Sequence, residues 1–189
     1  MIHSINDIEL AVKYISKGKI IIIPTDTLYG FSFDAYNSMA TEKFNKFKKR
    51  NSPLSIIVDS IKMAKKYAKI KGINKIQHLL PGPFTLLFSK SESGLAPLVT
   101  NNSNKIGIRI PDNKFCIEIV KRFKRPIVTT SVNFHGAPPL IKIKIIKESF
   151  SNFHIFEGVE NINSKGSTIV DMTQSPYAII RHGDGEFHV

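Results

Sequence analysis

Cysteine is nearly absent from this 189-residue chain. A single residue of that type, Cys116, allows neither an internal disulfide nor a cysteine-rich zinc site. Long apolar runs are missing as well. The longest is the four isoleucines Ile20 to Ile23, far short of the roughly 20 residues that a membrane-crossing helix needs, so no membrane partner is expected. The opening Met1-Ile2-His3-Ser4-Ile5-Asn6-Asp7 is polar, with no basic segment leading into an apolar one, and predicts no secretory leader. These absences together read as a soluble, reduced, cytoplasmic protein. No Gly-Lys-Ser or Gly-Lys-Thr loop occurs, which excludes a P-loop, so any bound nucleotide must be held by side chains. The six histidines show no metal-ligand spacing, and no structural metal is expected.

Acid is in deficit too. Fifteen acidic residues face 27 basic ones, a formal net charge of +12. Such a field draws polyanions: nucleic acid, nucleotide phosphates or an anionic surface. The same excess follows from a lysine-, isoleucine- and asparagine-rich composition alone, and both readings stand. Arginine is the scarcer base, with only Arg50, Arg109, Arg122, Arg125 and Arg181. Its rigid fork suits carboxylates and phosphates, so its sparing use marks positions of interest.

Hydrophobic residues make up 42% of the chain, which excludes general disorder, and the length fits one domain, residues 1–189. Helical periodicity is expected over Asp7 to Lys17, capped by Ser4 or Asn6, and over Met39 to Lys49. Further helices are expected over Ile61 to Lys69, Ile73 to Leu80, Asn113 to Phe123 and Ile141 to Phe150. Strands are expected at Ile20–Ile23, Leu54–Val58, Phe84–Phe88, Lys105–Ile110 and Pro126–Thr130, with three short ones near His154, Thr168 and Ala178. This alternation predicts an α/β fold with a mostly buried, twisted sheet and flanking helices. The chemically interesting polar residues follow strands, where open α/β sheets place ligands.

Five stretches carry that chemistry. Pro24-Thr25-Asp26-Thr27-Leu28-Tyr29-Gly30 sets two hydroxyls, a carboxylate and a phenol after the isoleucine strand, and reads as a site or as a hydrogen-bonded turn. Lys46-Phe47-Lys48-Lys49-Arg50 is either a phosphate clamp or a solvated helix end, where cations are favoured. In Ile106-Gly107-Ile108-Arg109-Ile110, strand alternation puts Arg109 beside Gly107 and the isoleucines opposite. Arg109 then reads a ligand or pairs with a structural carboxylate. Ser131 and Asn133 alternate after the Pro126–Thr130 strand, and Ser167 and Arg181 fall in the last two motifs. His135 reads as a solvated turn residue, and Cys116 as part of a helix core.

The motifs Pro24 to Gly30, Pro81-Gly82-Pro83-Phe84-Thr85, Ile108-Arg109-Ile110-Pro111, Thr130-Ser131-Val132-Asn133, Ser167 to Asp171 and Ile180-Arg181-His182-Gly183 resemble, in order, those of the YrdC-like threonylcarbamoyl-AMP synthase family. The resemblance spans about residues 8 to 185 and matches the family's short, single-domain form. It implies a twisted sheet around a large basic cavity. It also implies a reaction of L-threonine, bicarbonate and ATP, with Mg²⁺, giving threonylcarbamoyl-adenylate and pyrophosphate. A downstream tRNA threonylcarbamoyl transferase would then use the product to modify tRNA. By the resemblance, Lys48, Arg50, Ser131 and Asn133 line the nucleotide and catalytic site, with Arg181 near the adenylate. Thr25 or Thr27, Arg109 and Ser167 hold threonine.

The match has departures. The loop between Arg50 and Pro53-Leu54 is about two residues short, so the paired basic positions fall on Lys48 and Arg50 or, with the register slid, on Lys46 and Lys48. Ile57 stands where some members have a histidine, and Val132 replaces an alanine. Two alternatives remain: a double-stranded RNA or ribosome-binding module without turnover, and a paralogue handling another carbamoyl-adenylate.

Overall fold

In a computed structural model, which describes residues 1–91 and 94–188, strands and helices alternate as the sequence pattern implies. Glu92, Ser93 and Val189, included in the single-domain reading, lie outside the described residues. The strands are β1 (Ile2–Ser4), β2 (Ile21–Ile23), β3 (Gly30–Asp34), β4 (Ser55–Ile57), β5 (Phe84–Ser89), β6 (Lys105–Arg109), β7 (Ile127–Ser131), β8 (His154–Glu157), β9 (Thr168–Asp171) and β10 (Ala178–Arg181). They form one mixed sheet in the order β1-β8-β2-β3-β7-β4-β6-β5-β9-β10. The helices are α1 (Ile8–Ser16), α2 (Ser38–Phe47), α3 (Ile61–Ala64), α4 (Pro97–Thr100), α5 (Lys114–Phe123) and α6 (Ile143–Ser149).

Helices α2, α3 and α5 start where a short polar side chain satisfies a free backbone N–H group. Asn37 accepts from Ala40 N at the head of α2, and Asn113 from Cys116 N at the head of α5. The cap expected for α1 is different. Neither Ser4 nor Asn6 fills it: Asp7 is the cap residue without a side-chain bond, and the Ser4 hydroxyl instead accepts from Asn6 N. Two helix expectations are also corrected. Past Ala64 the chain turns, and Ala68 bridges to Lys90, so α3 is a single turn. Residues 73–80 form two 3₁₀ turns, Ile73–Lys75 and Gln77–Leu79. Ile76 between them has φ −126°, and Leu80 is extended, as a residue preceding proline prefers to be.

Alternation along the strands splits the core. Ile22, Phe31, Phe33, Ile56, Leu86, Ile108 and Val128 face one side. Ile21, Ile23, Ile57 and Ile127 face the other, under Ala11 and Ile15 of α1 and Phe115, Cys116, Ile119 and Val120 of α5. Each such side chain, fully buried, contributes about 1.5–3 kcal/mol. The α1–α5 layer covers only part of this second face. Further along it, register pairs Gly107 with Ser55 and Leu87, Ser55 with Thr129, and Gly30 with Ser131. Small and hydroxyl-bearing residues therefore floor the uncovered part, and a cavity opens there.

At the far edge β1 pairs with β8, and the His3 Nε2 and His154 Nδ1 atoms lie 3.0 Å apart, with Tyr14 stacked on His154 at 3.6 Å. Burial lowers the pKa of His3, helped by the N-terminal ammonium and opposed by Asp7. Burial lowers His154 too, followed by His3, the N-terminus and Lys19. The unfolded chain thus binds protons here more tightly than the folded one. Stability from this pair is complete above the ordinary histidine value of about 6.5 and is lost as pH falls below it. Thermal unfolding at pH 7.5 and 5.5 checks this: the melting temperature is expected to drop, and to drop less in His154→Gln.

Candidate active site

The cavity on the second face has a volume of about 320 Å³. Its floor comes from alternate positions of neighbouring strands: Ser55 of β4, Thr85 and Leu87 of β5, Gly107 and Arg109 of β6, and Thr129 and Ser131 of β7. A Cβ on Gly107 would sit 3.1 Å from Ser55 Cβ and 3.2 Å from Thr85 Cγ2, so glycine keeps this floor open. The rim carries Arg50, Lys105, Lys165 and Arg181. Among the described residues, no carboxylate lines the cavity. It is therefore a hydroxyl-floored space with a cationic wall, suited to an anionic and hydrogen-bonding ligand.

Arg109 is the deepest cation. Its Nη2 donates to Asp26 Oδ1 at 2.6 Å and to Thr27 Oγ1 at 3.3 Å, and the two charged side chains are only 8% and 6% exposed. Arg109 therefore pairs with a structural carboxylate, one of its two sequence readings, and it also borders the cavity. Its Nε is buried without an acceptor among the described residues. Burial pushes the Asp26 carboxyl above its usual range, against the pull of Arg109 and of the Asp112 N–H. The Thr25/Thr27 alternative also separates. Thr27 lines the cavity, whereas Thr25 stands behind it, its hydroxyl donating to Leu28 O and accepting from Thr27 N.

Ser167 and Arg181 meet at the opposite wall. Arg181 donates from Nη2 and Nε to Ser167 O, at 2.6 and 3.1 Å, and the Ser167 hydroxyl pairs with that of Thr85 at 2.8 Å. Burial, and then the facing charge of Arg109, lowers the pKa of Arg181. Two guanidinium groups thus border one cavity, an arrangement that a bound anion relieves.

Lys48, Arg50, Ser131 and Asn133 come together in an adjoining cleft of about 460 Å³ that also holds His135. Lys48 Nζ donates to both oxygens of Asn133, backbone and side chain. Burial, helped by Arg50, pulls its pKa down to about 8. Lys49 adopts φ +47° at the end of α2, and the backbone N–H of Arg50 reaches back to Asn45 O at 2.8 Å. Lys46 lies in the last turn of α2 and lines neither cavity. The structure thus groups Lys48 with Arg50 rather than with Lys46. The Arg50 guanidinium donates to Ser52 O and Pro53 O of its own loop. His135 is exposed, and its Nδ1 lies 2.9 Å from Lys48 O. Ile57 is fully buried in the apolar layer beneath α5 and brings no polar group to the site. Cys116 is equally buried, its thiol donating to Pro24 O and pushed up to about 12 by burial.

Two residues of this framework went unassigned in the sequence: Asp26 as the partner of Arg109, and Asp184, which bonds the loop before Ser167. Asp26 could have been found through its own motif, but Asp184 carries no local signal.

The model of the Sua5/YciO/YrdC family, described as telomere recombination, matches residues 13–183. A Methanocaldococcus jannaschii protein, provisionally named a threonylcarbamoyl-AMP synthase, is 36% identical over 93% of this chain and 85% of its own length. A Pyrococcus abyssi threonylcarbamoyl-AMP synthase is 27% identical over 93% of this chain, which spans only 54% of that protein. The crystal structure of Pyrococcus abyssi Sua5 complexed with L-threonine superposes with a TM-score of 0.88 at 26% identity, covering 97% of this chain and 57% of that one. Among the described residues, no helix is long and apolar enough to cross a membrane.

Proposed function

The chain belongs to the Sua5/YciO/YrdC family, and from that premise we propose that it is a threonylcarbamoyl-AMP synthase acting in tRNA threonylcarbamoyladenosine formation. The observation that carries this reading is that Arg109 and Arg181 line one hydroxyl-floored cavity, with the Lys48–Arg50–Ser131–Asn133 cleft beside it. One compartment suits a small amino acid with a carboxylate and a hydroxyl. The other suits a polyphosphate.

In this reading Arg109 takes the threonine carboxylate, backed by Asp26, while Thr27 and Ser167 offer hydroxyls to the amino acid. The threonine amine adds to the carbon of bicarbonate, and loss of water leaves the N-carboxylate. One oxygen of that carbamate attacks the α-phosphorus of ATP; the P–O bond to the β-phosphate breaks, and pyrophosphate leaves. The residues present offer positioning and charge neutralisation, which dominate such transfers. Lys48, Arg50 and Arg181 balance the phosphates, and Ser131 and Asn133 orient them. With no carboxylate in either cavity wall among the described residues, Mg²⁺ fits as part of the MgATP substrate, held by phosphate oxygens. The product would pass to a tRNA threonylcarbamoyl transferase. The test is pyrophosphate release with ATP, bicarbonate and each amino acid in turn: release is expected with threonine, and release independent of any amino acid would contradict the proposal.

The Lys48 value adds a pH signature. A lysine that titrates near 8 is a cation below that pH and neutral above it. The kcat/KM for ATP is therefore expected to fall as pH rises through about 8 in the free enzyme. In Lys48→Arg the fall should move to higher pH, because a guanidinium stays charged. A flat wild-type profile to pH 9.5 would remove Lys48 from the phosphates.

A further inference from the structure

Residues 164–167 end the connection from β8 to β9 and set Lys165, Gly166 and Ser167 side by side on the cavity wall. Its shape is not one a chain adopts freely, since Gly166 has φ +84°. A single residue, 18 to 20 positions later, bonds three consecutive residues of this loop. Asp184 Oδ2 accepts from the Ser164 hydroxyl at 2.5 Å, and its Oδ1 accepts from Lys165 N at 2.6 Å. Its own N–H donates to Gly166 O at 2.8 Å. The Ser164 hydroxyl also accepts from Gly166 N at 3.0 Å, so the carboxylate fixes both ends of the turn.

The neighbours of Asp184 press this segment home. A Cβ on Gly183 would come within 2.2 Å of Gly166 O and 2.5 Å of the Ser167 carbonyl carbon, so no other residue allows the approach. Gly183 N donates to the Thr168 hydroxyl, which donates on to Gly185 O at 2.6 Å. Just before this segment, Arg181 holds Ser167 O. Ser167 is thereby caught between Arg181 and the turn that Asp184 ties.

We propose that Asp184 is a positioning residue for the amino-acid end of the cavity, its carboxylate setting the turn that presents Ser167. The assignment rests on the functional reading above. It uses Asp184 as an anchor only: the carboxylate is spent on Ser164 and Lys165, and it does not touch substrate.

Two variants separate positioning from mere folding. Asp184→Ala removes both acceptors. Asp184→Asn keeps an acceptor for Lys165 N and offers its NH₂ to the remaining lone pair of the Ser164 hydroxyl. Expected for Asp184→Ala are a rise of roughly ten-fold in KM for threonine, the equivalent of one lost hydrogen bond, and a KM for ATP within about two-fold of wild type. Asp184→Asn should recover most of the loss. Amide hydrogen exchange supplies a readout that needs no turnover: Lys165 N and Gly166 N should exchange faster in Asp184→Ala and near the wild-type rate in Asp184→Asn. Unchanged exchange in Asp184→Ala, an equal loss for both substrates, or no rescue by asparagine would each overturn the assignment. If wild type forms no product from threonine, the functional reading fails by itself, while the exchange result still decides whether Asp184 ties the turn.

Discussion

Replacing Arg109 by lysine is expected to raise the threonine concentration needed for half-maximal rate by roughly ten- to a hundred-fold, with little change for ATP. The guanidinium is 8% exposed and held on one side by Asp26, and its Nε has no acceptor among the described residues. An ammonium on a shorter stem can satisfy Asp26 or reach into the cavity, but it cannot present a planar fork to both. The substitution keeps the net charge, so the general attraction for phosphate survives. Initial rates over a threonine series at saturating ATP, and the converse series, measure the two effects apart. Lost ATP affinity with threonine dependence intact would put Arg109 on the phosphates instead.

Removing the other half of that pair should cost stability rather than one substrate. Asp26→Ala leaves the Arg109 charge, only 8% exposed, without its partner at 2.6 Å, and also frees the N–H of Asp112. Breaking a buried pair from one side costs about 3–5 kcal/mol, far more than the net worth of most intact pairs. Urea unfolding should show the midpoint falling by that amount without a change in slope. A loss below about 1 kcal/mol would mean that water or a rotated Arg109 compensates, and that Asp26 does not set the position of the arginine.

The strands that floor the site were legible because their signal is local. Four consecutive isoleucines can only be a buried strand here, and alternation alone placed Gly107 and Arg109 on one face of β6. Elements that depend on distant partners were not legible. The three-residue β1 exists because β8, about 150 residues later, offers it a parallel edge. Strand β3 was concealed because its first residue, Gly30, is also the last residue of the turn motif. Residues 73–80 carry apolar spacing that suits a helix, but the extended Leu80 before Pro81 forces tight 3₁₀ turns.

The site divides in the same way. Lys48, Arg50, Ser131 and Asn133, grouped by the family resemblance, line one cleft in the fold. The pairing of Arg109 with Asp26, 83 residues apart, and the tie from Asp184 to Ser164 are tertiary contacts that no periodicity encodes. Thr25 and Thr27 are two residues apart and equally polar; only the fold, which turns one toward the cavity and the other behind it, tells them apart.

In the proposed function, one continuous site joins an amino acid to a nucleotide through a carboxyl group. Incubating the chain with MgATP, L-threonine and ¹³C-labelled bicarbonate, then analysing small products by mass spectrometry, tests it directly. The account predicts an adenylate carrying both threonine and one ¹³C atom, formed in step with pyrophosphate and lost in Arg109→Lys at low threonine. Pyrophosphate release with no labelled adenylate, or an adenylate of threonine lacking the ¹³C, would contradict it.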